Sequence, residues 1–161
     1  MAQLLIVQHT PSPATHTLLT EVRAGATDPA IDGVDVVVRA ALEATVSDVL
    51  AADGYLLGAP ANLGYLAGAL KHFFDQIYYP CLESTIGRPF GAWLHGNDDT
   101  TGAARAIESI TAGLRWRRVA PTLELTGAPD AAARAAGHEL GAVVAATLMD
   151  EPDQDRGATI R

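Results

Sequence analysis

The chain reads as an α/β protein: a doubly wound parallel sheet of five strands in the order 2-1-3-4-5, with helices on both faces. Three observations predict this. Short apolar runs recur five times, and each is followed by a stretch with helical spacing, so strands and helices alternate strictly. Runs such as QLLIVQ and GYLLGA have the near-continuous hydrophobicity of strands buried on both faces. The length of 161 residues, with 48% hydrophobic and 19% charged, suits one domain with a real core.

The elements follow in order. Gln3 to Gln8 is the first strand, and the polar, Pro-rich stretch His9 to Thr17 leads into a helix carrying Leu18, Leu19 and Val22. Asp32-Gly33 marks a turn before the second strand, Val34 to Val38, and a short helix spans Thr45 to Ala52 with Val46, Val49 and Leu50 on one face. Gly54 to Ala59 is the third strand, with Pro60 expected to end it. Leu66 to Tyr78 is the clearest helix: Leu66, Leu70, Phe73, Phe74 and Ile77 form one stripe, and Lys71 and Asp75 form an i,i+4 pair away from it. Pro89 to Leu94 is the fourth strand, followed by a helix over Ala103 to Leu114. Val119 to Leu125 is the fifth strand, an edge strand because Pro121 interrupts it. Asp130 to Met149 is the last helix, with Leu140, Val143, Val144 and Leu148 facing inward. The domain therefore spans residues 1–149, and the polar residues 150–161 read as a disordered tail.

Charge and cysteine usage exclude several classes. The net charge is −8 and the arginines are scattered, so no basic face offers itself to nucleic acid or to an anionic membrane. The single cysteine, Cys81, allows no internal disulfide, which points to a reducing compartment, the cytoplasm. The N-terminal residues MAQLLIVQH read as a strand rather than a signal peptide, and no apolar run reaches membrane-spanning length. The chain lacks GxGxxG, GxxxxGK[ST] and GxSxG, and no aspartate stands at the end of the third strand as a phosphoacceptor. The five histidines are dispersed, and no Cys/His spacing supports a metal site.

In a sheet of this order the ligand lies beyond the carboxyl ends of the strands, where the order reverses between strands one and three. Three loops meet there. The first offers hydroxyls at Thr10, Ser12, Thr15 and Thr17, with His16 among them, at the start of a helix whose unpaired N–H groups and dipole favour a phosphate. The second runs through Pro60, Ala61, Asn62, Leu63, Gly64 and Tyr65, where Gly64 lets backbone approach a ring closely. The third contains His95, Gly96, Asn97 and Gly102; its Asp99, Thr100 and Thr101 suit a helix N-cap.

Thr10-Pro-Ser12-Pro-Ala-Thr15 resembles the [ST]-x-[ST]-G-x-T phosphate loop of flavodoxin-like proteins, with Pro13 in place of the glycine. Gly58 to Asp75 resembles the P-x-N/R-x-G/N…LK-x-F-x-D stretch of the FMN-dependent NAD(P)H and quinone reductases of that superfamily. The resemblance implies FMN, with its phosphate in loop one, the polar edge of its ring on the backbone of residues 61–64, Tyr65 near the ring, and His95 on a flavin oxygen. It implies NADH or NADPH as donor and a quinone or similar small acceptor, with the flavin carrying the chemistry and no catalytic side chain required. An open ring face admitting donor and acceptor in turn gives ping-pong kinetics. Asp98 and Asp99 close to the ring would oppose an anionic reduced flavin. A homodimer or homotetramer is implied as well; Tyr78, Tyr79 and Trp116 suit either an interface or the core. The alternatives are a flavodoxin-type electron carrier and a flavin-less binding module of the same fold.

Overall fold

The computed structural model describes residues 1–150. Of the tail expected over residues 150–161, Asp150 belongs instead to the last helix, and residues 151–161 lie outside the described residues. In chain order the elements are β1 (Ala2–Gln8), α1 (Pro13–Ala26), β2 (Val34–Ala40), α2 (Val46–Ala51), β3 (Gly54–Asn62), β4 (Tyr65–Leu66), α3 (Gly68–Cys81), β5 (Pro89–Gly96), α4 (Thr101–Leu114), β6 (Arg117–Arg118), β7 (Leu123–Thr126) and α5 (Ala131–Asp150).

The sheet runs β2-β1-β3-β5, and its last position is shared by β6 and β7, which both pair with β5 in parallel. This is the 2-1-3-4-5 order expected, with the fifth strand broken in two. Pro121 lies in the break, where the backbone leaves the ladder between Arg118 and Leu123.

Two apolar layers hold the helices. On one face α1 and α5 cover Leu4, Ile6, Leu56 and Trp93 through Leu18, Val22, Leu140, Val144 and Leu148. The helices cross closely enough that a Cβ on Gly25 would fall 1.8 Å from the His138 carbonyl oxygen, and one on Gly141 would fall 2.0 Å from that of Val22. On the other face α2, α3 and α4 cover Leu5, Val7, Tyr55, Leu57 and Leu94. Trp116 is core there: its ring stacks on Tyr55 at 4.1 Å and its Nε1–H donates to Thr85 Oγ1 at 2.8 Å. Tyr79 is 80% exposed.

Two residues expected to face inward do not. Val143 and Leu50 are each 39% exposed, because each sits at the margin of its helix's apolar stripe. Lys71 and Asp75 form the expected surface pair, 2.6 Å apart.

Pro60 does not end the third strand. β3 continues to Asn62, and Pro60 pairs with His95. The reason is directional. The Gly58 carbonyl faces β1, where it accepts the His9 N–H. Alternation turns Pro60 to the same side, beyond the last β1 residue, so its missing N–H costs no ladder bond. Leu66, expected to begin a helix, instead belongs to β4, and the helix starts at Gly68.

Candidate functional site

Loop one is organised by a capping box. Ser12 is the N-cap of α1, in extended conformation; its Oγ accepts the Thr15 N–H at 3.2 Å, and Thr15 Oγ1 accepts the Ser12 N–H at 3.1 Å. Thr15 Oγ1 also donates to the Ser12 carbonyl, and Thr15 is 1% exposed. Thr10 Oγ1 donates to Gln8 Oε1 at 2.6 Å. Pro13 occupies the first helical position, where an N–H would lack an intrahelical partner anyway. The helix loses nothing there, but an anion at this terminus loses one backbone donor. The His16 N–H is held by the Ser12 carbonyl, its side chain is exposed, and Thr17 is half-buried. Thr15 Oγ1 gives its proton to the Ser12 carbonyl, so the 2.9 Å bond between the two hydroxyls uses the Ser12 proton; the Ala14 N–H is what the first turn retains, and Ser12 must turn from Thr15 to serve a ligand.

Loop two is a hairpin rather than an open loop. Asn62 pairs with Tyr65 and Ala61 with Leu66, both antiparallel, so Leu63 and Gly64 form a two-residue turn. Both have positive φ, 52° and 71°, as a type I′ turn requires. Gly64 adopts this freely, whereas Leu63 adopts it at a cost of roughly 1–2 kcal/mol. The leucine side chain is fully exposed and Tyr65 is 57% exposed, so neither gains burial for that cost. The turn signal in the sequence was half present: Gly64 fits the second central position, and Leu63 does not fit the first.

Loop three docks on loop two. A Cβ on Gly102 would fall 2.1 Å from the Gly64 carbonyl oxygen, so only glycine lets the hairpin tip rest on the first turn of α4. Gly96 is buried against the same turn, 3.2 Å separating its would-be Cβ from the Asp99 carbonyl oxygen. Thr100 is the N-cap of α4 and makes no side-chain capping bond; Asp99, one residue earlier, accepts at Oδ1 from the Thr101 N–H at 2.9 Å and the Thr101 hydroxyl at 2.7 Å. The hydroxyl bond, then the backbone bond, hold the Asp99 carboxyl below its ordinary range. Thr100 Oγ1 donates to Glu124 Oε1 at 2.8 Å. Asn97 and Asp98 are exposed.

His95 is nearly buried, and its Nε2 bonds the Gly127 carbonyl. A carbonyl only accepts, so Nε2 carries the proton, and the ring pins the turn between β7 and α5. Sequence reasoning also passed over Trp93, which is 1% exposed and whose Nε1 has no hydrogen-bond partner among the described residues. Its signal was Gly58, directly opposite in the β3–β5 register.

The structure thus brings Thr10, Ser12 and Thr15 into one turn. It sets residues 61–65, Gly96 and Gly102 against one another, and directs His95 to the adjoining turn. No Lys or Arg occurs in residues 8–17, 60–66 or 95–102, so an anion here would meet neutral donors and a helix terminus. Among the described residues no three His, Cys, Asp or Glu side chains lie together as a metal site. No described helix is long and apolar enough to cross a membrane.

A five-position parallel sheet of this order, with its loops gathered at the reversal point, defines the flavodoxin-like fold. The structure superposes on an archaeal flavodoxin with a TM-score of 0.77 at 16% identity, over 92% of this chain and 99% of that one. It superposes on a WrbA-like flavodoxin from Agrobacterium tumefaciens at 0.75 and 15% identity, covering 92% and 98%. For the two-electron reduced flavodoxin of Megasphaera elsdenii the values are 0.73 and 24%, covering 88% and 98%. In sequence, the chain is 31% identical over 104 residues to a flavodoxin of Aquifex aeolicus (strain VF5), covering 61% of this chain. The match spans about half of that relative's length, 55%. No protein-family profile matches the chain.

Proposed function

We propose that the protein binds FMN at the carboxyl ends of its sheet and passes electrons from NADH or NADPH to a quinone or similar small acceptor. One observation carries this reading: the ledge formed by the Asn62–Tyr65 hairpin, seated on Gly102 beside the capped N-terminus of α1, at the point where strand order reverses. Thr10, Ser12, Thr17 and the Ala14 N–H would hold the phosphate. The backbone at residues 61–65, with Asn97, would hold the polar edge of the ring, and Tyr65 would lie against it. The flavin, when bound, supplies hydride and one-electron chemistry. The chain's own part is to orient the ring and set its field. Asp98, Asp99 and Glu124 give that field a negative sign, which disfavours added charge on the ligand. Residues 96–102 contain no aromatic side chain to cover a ring, which leaves a face open to a nicotinamide and then to an acceptor. A homodimer or homotetramer completes this reading, with exposed Tyr79 available to the interface.

The flavodoxin of Aquifex aeolicus favours a second reading, a one-electron carrier. The net charge of −8 suits such a carrier, since a basic partner would be steered to it.

Purification with FMN, desalting and a visible spectrum test both readings. Oxidised-flavin bands that bleach promptly on anaerobic NADH or NADPH support the reductase. Bands that persist with nicotinamides but bleach with dithionite support the carrier. A colourless protein that fails to quench added FMN overturns both.

A further inference from the structure

The unpartnered Nε1 of Trp93 lies in a definite place. In register, Gln8 of β1, Gly58 of β3, Trp93 of β5 and Leu123 of β7 form one row across the sheet. The indole is laid over Gly58: a Cβ there would fall 1.9 Å from Cζ2 and 2.0 Å from Cε2. Cε2 is bonded to Nε1, so the indole nitrogen lies one bond from an atom that covers Gly58, over the strand between β5 and β1. This occurs on the face covered by α1, where Trp93 shares a cluster with Ile6 and Leu18. Immediately beyond the row, the His9 N–H bonds the Gly58 carbonyl and the chain enters loop one. Gln8, in the same row, holds the Thr10 hydroxyl of that loop.

A buried N–H is normally satisfied, and one that is not marks a missing ligand or water. The other tryptophan shows the ordinary case, giving its N–H to Thr85. Loop one has the complementary shortage. Pro13 supplies no N–H, and the Thr15 N–H and hydroxyl are spent on the cap. Resting on the loop-one reading above, we propose that Trp93 Nε1–H is the donor that completes the cradle, bonding a phosphate oxygen directly or through one bound water. The ligand chemistry is a phosphate monoester or free inorganic phosphate. The indole takes the place of the backbone donor that Pro13 removes, and Gly58 is glycine so that the ring can reach.

The test is a two-dimensional ¹H–¹⁵N spectrum of the labelled full chain. Its two tryptophans give two indole signals, assigned with Trp93→Phe and Trp116→Phe. The chain is titrated separately with inorganic phosphate, FMN and riboflavin, and flavin binding is followed independently by fluorescence quenching. The expected result is that phosphate and FMN move the Trp93 signal while that of Trp116 stays. Trp93→Phe should weaken FMN about tenfold and leave riboflavin unchanged. If FMN binds and neither it nor phosphate moves the Trp93 signal, the inference is overturned and the flavin reading stands. If FMN fails to bind while phosphate moves the signal, the inference stands and the flavin reading falls. Silence toward all three ligands overturns both.

Discussion

At the amino end of the sheet, Arg88 gathers the last carbonyls of α2; at the carboxyl end, a leucine stands fully exposed in a left-handed conformation and a buried indole N–H has no partner among the described residues. Arg88 Nη1 lies 3.0 Å from the Val49 carbonyl oxygen, 3.1 Å from that of Leu50, 2.7 Å from that of Ala52 and 3.1 Å from the Tyr55 hydroxyl. A cation at a helix C-terminus meets both the orphan carbonyls and the negative end of the dipole. Tyr55 in turn donates to the Val49 carbonyl and stacks on Trp116. Stability is concentrated at this end, and strain and unmet hydrogen-bonding capacity at the other, where a ligand would make use of them. Substitutions at the two ends should therefore separate stability from binding.

The largest loss of stability is expected for Trp116→Ala, which empties an aromatic cluster of Tyr55, Phe74 and Phe90 and leaves Thr85 Oγ1 with its bond to the Cys81 carbonyl alone. Urea unfolding should show a loss of about 3–5 kcal/mol. If the variant folds, its flavin affinity should be unchanged. Arg88→Ala comes next, at about 2–3 kcal/mol, since charged hydrogen bonds to the partly buried carbonyls of Val49 and Ala52 are lost together. A value near zero would mean that water replaces the guanidinium.

Tyr55 gives the amino end a pH signature. Burial, opposed by Arg88, raises its hydroxyl from 10.0 to about 12. A raised folded-state pKa contributes stability that is fully present below pH 10 and is lost as pH rises from 10 toward 12. The difference corresponds to roughly 2–3 kcal/mol over that window. Unfolding curves between pH 8 and 11.5 should show this fall in the wild type and a smaller one in Tyr55→Phe.

At the carboxyl end, Gly102→Ala places a methyl group where the Gly64 carbonyl now sits. The hairpin must shift, costing about 1–2 kcal/mol of stability and, as the signature of this end, a larger proportional loss of FMN affinity. Equal affinity in the variant would detach the ledge from binding. The smallest effect has the opposite sign. Leu63→Gly relieves the left-handed residue and should stabilise the fold by about 0.5–1 kcal/mol. Slower turnover or weaker flavin binding in that more stable variant would show what the strain is kept for.

The sheet and its two helical layers were legible because each buried strand writes its period directly into sequence. The cap at Ser12 was legible only in kind, as hydroxyl residues before a helix; its position, with the helix starting at Pro13, was not. The hairpin was not: turn chemistry asks for Asn, Asp or Gly at position 63, and a leucine there satisfies no sequence rule. The continuation of β3 through Pro60 was hidden because it depends on β1 having ended at Gln8, a fact about a neighbouring strand. The Trp93–Gly58 contact was hidden similarly. Its two residues are 35 positions apart, and only the register brings them face to face.

The crossing of α1 and α5 through Gly25 and Gly141 has a consequence for biosynthesis. The two helices that cover one face of the sheet come from opposite ends of the described chain. Until residues 131–148 have cleared the ribosomal tunnel, Leu4, Ile6 and Leu56 are shielded on that side by α1 alone, and the groove at Gly25 has nothing to receive. The early half of the nascent chain should therefore depend on chaperones, and closure of that face should wait until α5 has emerged.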